Sequence, residues 1–183
     1  MTLNWMAAAV GLAAMIGTAP ARAADVATAD CVRANLDAGA AANLSQGLGE
    51  PDTDSDAIGS DAAYDKVDEA ISLCREKHGW SDEAADDALI YVISALGVEG
   101  LSATMKGAGL DPALAEKAYA GMPPEDVALL SNDPESERVA SIVLGAAADV
   151  GLPSDTERRQ QLLASYASYT AQKIDALVSF GDH

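Results

Sequence analysis

The chain has 183 residues, with 29 acidic against 11 basic side chains and a formal charge of −18. That balance argues against nucleic acid, whose binding depends on basic residues displacing counterions, and against anionic lipid surfaces on the same ground. The length suits one domain with its own core, and the acidity is most simply a source of solubility.

Residues 1–23 read as a signal peptide. Trp5 to Thr18 carries no charge and is mostly Ala, Val, Leu, Met, Ile and Gly, and Ala21 and Ala23 supply the small residues before a cut after Ala23. Residues 1–5 contain no Lys or Arg, so the α-amine alone supplies positive charge there. The apolar run is shorter than the roughly 20 residues of a helical span, and no later stretch is read as crossing a bilayer. The expected location is the bacterial periplasm or the extracellular space. Residues 24–183 are then a single helical domain.

Apolar residues in this part recur mostly at spacings of three and four, which predicts helices and no strands. The first helix is expected over Val26 to Leu48, where Val32, Leu36, Ala40, Leu44 and Leu48 form one stripe. Gly39 and Gly47 weaken it. An acidic segment at about 50–61 follows and reads as an exposed loop, since its composition buries little apolar surface. Asp52, Asp54 and Asp56 match the opening of an EF-hand loop. The match fails at its sixth position, Ala57, and at its twelfth, Ala63, so no calcium ligand set is assigned.

A second helix from Ala62 to Lys77 places Val67, Ala70, Ile71, Cys74 and His78 on one face, with Gly79 ending it and Ser81 capping the next. Residues 82–96 form a central helix with Ala85, Ala88, Leu89, Val92, Ile93 and Leu96 facing the core. Gly97 and Gly100 are read as interrupting it, before a shorter helix or turn from Leu101 to Lys106. Asp111-Pro112 and Asp133-Pro134 pair a cap with proline at the first helical position, and so start helices near 112–120 and 134–149. A short helix fits Pro124 to Leu130, and Ser154 with Glu157 reads as the capping box of a last helix reaching Ser179. Two faces of that helix are apolar, one running through Leu162, Tyr166, Tyr169, Lys173 and Leu177, the other through Leu163, Ala167, Thr170, Ile174 and Val178.

The two cysteines, Cys31 and Cys74, are expected to form a disulfide in an oxidising compartment. Closing a loop of roughly 40 residues contributes about 4 kcal/mol in the loop-entropy account. The competing arrangement, Cys74 and His78 as metal ligands one helical turn apart, needs a free thiolate and is set aside with it. The fold class expected is all-α, a compact multi-helix bundle or orthogonal array held by Cys31–Cys74.

No catalytic set, cofactor motif or metal site is assigned. His78 and His183 are the only histidines, and neither sits in a serine or cysteine nucleophile motif. The side chains best suited to anchor a partner, where exposed, are Tyr166, Tyr169 and Trp80. The function expected is that of a non-enzymatic periplasmic interaction or accessory protein, with another envelope protein as its partner. An acid-stress or chaperone-like role is the alternative, and a small-ligand carrier a further one.

Overall fold

A computed structural model describes residues 24–50, 61–133 and 136–183. Residues 1–23, read above as a signal peptide, and Asp52, Asp54 and Asp56 of the acidic segment lie outside the described residues, as does Pro134.

The described residues form a 3-10 turn, Val26–Thr28, and helices α1 Cys31–Asn35, α2 Ala38–Leu48, α3 Asp61–His78, α4 Asp82–Gly107, α5 Pro112–Tyr119, α6 Pro124–Asn132, α7 Glu137–Asp149 and α8 Glu157–Asp182. They contain no strand, so the all-α expectation holds. The predicted first helix is divided. Leu36 turns extended and the Asp37 carboxylate accepts hydrogen bonds from the Gly39 and Ala40 amides at 2.9 and 3.0 Å, restarting the chain as α2. The stripe survives this break: Val32, Leu36, Ala40, Leu44 and Leu48 are all buried.

Cys31 and Cys74 are bonded, with their Cα atoms 5.9 Å apart, tying α1 to α3. Gly79, at φ +71°, ends α3 in a left-handed conformation that suits glycine, and Ser81 caps α4 through the Ala84 amide. Trp80 lies between these two helices and is buried. Its indole N–H donates to Thr28 Oγ1 at 3.0 Å, and its ring meets Phe180 edge-on at 5.1 Å, so one side chain joins the N-terminal turn, the α3–α4 corner and the end of α8.

The largest departure from the sequence reading is α4, which runs unbroken through Gly97 and Gly100. These positions meet other parts of the protein instead of ending the helix. A Cβ on Gly100 would land on the Ser45 carbonyl oxygen of α2, and one on Gly97 would lie 2.8 Å from the Tyr169 ring of α8. Gly49, after α2, closes against the Gly100 backbone in the same way. Because it continues to Gly107, α4 is long and apolar enough to cross a membrane by length and composition alone, contrary to the expectation that no later stretch would be. Within the fold its apolar length is used as core, through Ala84, Ala88, Val92, Leu96, Leu101 and Met105.

Two further helix starts shift. Ser136, not the Asp133-Pro134 pair, caps α7 through the Val139 amide, and Asp133 instead closes the end of α6. Thr156, not Ser154, caps α8 through Arg159, and α8 runs past Ser179 to Asp182. The second predicted face of α8 fails at Val178, which is 63% exposed, while Phe180 is fully buried.

The core has two clusters joined by α4 and α8. One packs α1, α2 and α3 with the first half of α4 and Phe180, and the other packs α5, α6 and α7 with Leu101, Met105 and the first half of α8. Tyr169 touches both.

Gly100→Ala should destabilise the protein by about 3 kcal/mol or more, because the methyl meets backbone that cannot move aside. Gly145→Ala, on the exposed side of α7 with nothing near the added atom, should stabilise it by about 0.5–1 kcal/mol. Chemical denaturation of both variants checks this, and equal effects would contradict the close approach.

Candidate functional site

A half-open cleft of about 600 Å³ lies where α4, α5 and α8 diverge. Val98, Ser102 and Lys106 recur at one-turn spacing on α4, Pro112, Ala113 and Glu116 come from α5, and Tyr166, Thr170 and Lys173 come from α8. Its volume is in the range of small-molecule sites.

Tyr166 forms part of the floor. Its ring packs 6.2 Å from that of Tyr119, whose hydroxyl donates to the Val143 carbonyl at 3.2 Å, fixing α5 against α7 and α8. Burial raises the Tyr166 phenol above the usual tyrosine range, the Ser102 hydroxyl pulls it back and the Glu116 carboxylate adds to the rise. Thr170 is buried, and its hydroxyl donates to the Tyr166 carbonyl at 2.8 Å.

The charged lining is unevenly committed. Glu99 is held by Arg33 at 3.0 Å, and Asp111 accepts from the Ala113 amide at 2.9 Å as the cap of α5. Lys106 and Lys173 make no ion pair among the described residues.

A smaller pocket of about 400 Å³ lies between α4, α6 and α8 and is lined by Asp87, Ile90, Ser131, Gln172 and Asp175. Asp87 Oδ2 and Ser131 Oγ are both buried there without a hydrogen bond. His183 Nε2 stands 3.8 Å from Asp87 Oδ2, and no contact joins Ser131 to His183, so these residues do not make a nucleophile–base pair.

Of the three aromatic residues picked out as partner anchors, Trp80 and Tyr166 are 6% and 3% exposed and serve the core and the cleft floor. Tyr169 is half-buried over Gly97, and its phenol is raised first by burial and then by the neighbouring phenol of Tyr64. Cys74 is bonded to Cys31 and is no thiolate, while His78 stacks on Trp80 with ring centres 5.7 Å apart. Among the described residues no group of three or more His, Cys, Asp or Glu is arranged to hold a metal ion.

The sequence reading missed the cleft as a site. Lys173 stands two turns after Tyr166 and interrupts an otherwise apolar face, and Lys106 follows Ser102 by one turn; both were legible signals once α4 was allowed to continue. Comparison of the chain with protein-family models, with curated proteins and with solved structures gave no match.

Burial raises the Asp87 carboxyl, against the pull of His183. The folded chain therefore holds this proton more tightly than the unfolded one, so the contribution of Asp87 to stability is greatest at low pH and falls as pH rises through the raised value. Asp87→Asn should raise Tm at pH 7, and the gain should shrink on acidification. A variant less stable than the parent at pH 7 would mean that the His183 contact outweighs burial.

Proposed function

We propose that this is a non-enzymatic accessory or interaction protein of the bacterial periplasm, and that it acts by binding at the cleft between α4, α5 and α8. The observation that carries the reading is the cleft itself, walled by three helices, with a buried tyrosine in its floor and two lysines in its lining that make no ion pair among the described residues. Most of the other large apolar and aromatic side chains are used in holding helices together, and the exposed ones are single residues such as Leu73, Ile90 and Val178. Export rests on residues 1–23 and agrees with a disulfide, which persists in oxidising compartments.

A non-enzymatic role is favoured by what the histidines do. His78 is engaged with Trp80 and His183 with Asp87, and neither faces the cleft. The acid-response reading requires carboxylates whose protonation loosens the fold. Half-buried Asp87 acts in the opposite sense, and the carboxylates held below their usual range, Asp155 by Arg159 and Glu83 by its own backbone amide, are fully exposed and so weak levers on the fold.

A photoreactive side chain at Ala113, in the cleft lining, should capture one recurring partner or small molecule in the native envelope, and the same group at exposed Lys77 on α3 should not. Adducts identified by mass spectrometry decide the matter. No recurring adduct at Ala113 above the Lys77 control would contradict the proposal.

A further inference from the structure

We infer that the α4–α5–α8 cleft takes a small amphipathic carboxylate, its apolar body laid on Val98, Pro112 and Ile174 and its charge met by Lys106 and Lys173. The inference deepens the binding reading above and rests on it.

The chain is strongly acidic, and a general attraction would favour a cation. The cleft departs from that average. Of its acidic groups, Glu99 already carries the Arg33 guanidinium, and Asp111 is bound to the first turn of α5. Asp111, which keeps its charge as a cap, and Glu116 are balanced by two lysines that make no ion pair among the described residues, so the cleft is close to neutral in a strongly acidic chain. The Ser102 hydroxyl donates to the Val98 carbonyl at 2.6 Å, so the hydroxyl donor beside them is the Tyr166 phenol, kept protonated by its surroundings.

The same lining argues for a carboxylate over a phosphate. No arginine lines the cleft, so the planar fork that suits phosphate bidentately is missing. The N-terminus of α5, which could offer backbone N–H groups to a phosphate, is occupied by Asp111 and begins with a proline. Two lysines are point charges on flexible stems, suited to a single carboxylate at the rim. The half-open shape and volume of about 600 Å³ fit a compact apolar body better than a long acyl chain, which needs an enclosed tunnel.

Three probes of one shape and different charge test this: indole-3-acetate, indole-3-acetamide and tryptamine, titrated into the isotope-labelled protein at low ionic strength and followed by NMR. The carboxylate should shift the amides of Val98, Ser102, Ala113 and Thr170, and bind about tenfold more tightly than the amide. Lys106→Gln with Lys173→Gln, at exposed and half-buried positions, should remove that preference without unfolding the chain. Added salt should weaken it. If the amide or tryptamine binds at the cleft as tightly as the carboxylate, the anion assignment falls and the cleft remains a binding site. If none of the three shifts cleft resonances, the carboxylate assignment is overturned, and the cross-linking at Ala113 judges the binding reading separately.

Discussion

The close approach of α2 to α4, at Ser45, Gly49 and Gly100, places one backbone against another with no side chain between them. One turn away on α4, the ring of Tyr169 occupies the space that a Cβ on Gly97 would fill. Each glycine inside a helix costs about 1 kcal/mol relative to alanine. Here the cost is offset by dispersion contacts that a larger residue would prevent, and by keeping α4 continuous for 26 residues. A shorter α4 ending at Leu96 could not serve both core clusters, because Leu101 and Met105 belong to the second.

The two ends of the molecule are secured by different means. At one end the Cys31–Cys74 disulfide and Trp80 tie the N-terminal turn, α1, α3 and the end of α8. At the other, Tyr119 and Tyr166 hold α5 and α7 against α8 with no covalent link. The cleft belongs to this second end, built on the part of α4 beyond the glycines.

Much of the fold was legible as local chemistry. Ser81 and Asp111 cap the helices their side chains predict, because a cap acts on amides within three residues of itself. The stripe from Val32 to Leu48 was legible because burial follows helical periodicity even across the break at Leu36. The disulfide followed from a single pair of cysteines and the oxidising compartment implied by residues 1–23, with Cys74 on the apolar side of its helix. What failed was non-local. Gly97 and Gly100 have the same local propensity whether they end a helix or admit a neighbour, and only the position of α2 and Tyr169 distinguishes the two. Trp80 showed the same limit, since its partners Thr28 and Phe180 lie far away in sequence. The cleft was hidden for the same reason: Ser102 and Lys106 join the face of α4 only if the helix passes the glycines.

Native-state hydrogen exchange tests the central role of α4 most directly. If α4 and α8 are the shared spine of both core clusters, the amides from Val92 to Leu101 and from Ala167 to Ala171 should exchange most slowly and with one common opening free energy. Amides of α3 or α7 that outlast them, or two halves that open independently through the glycine positions, would contradict it.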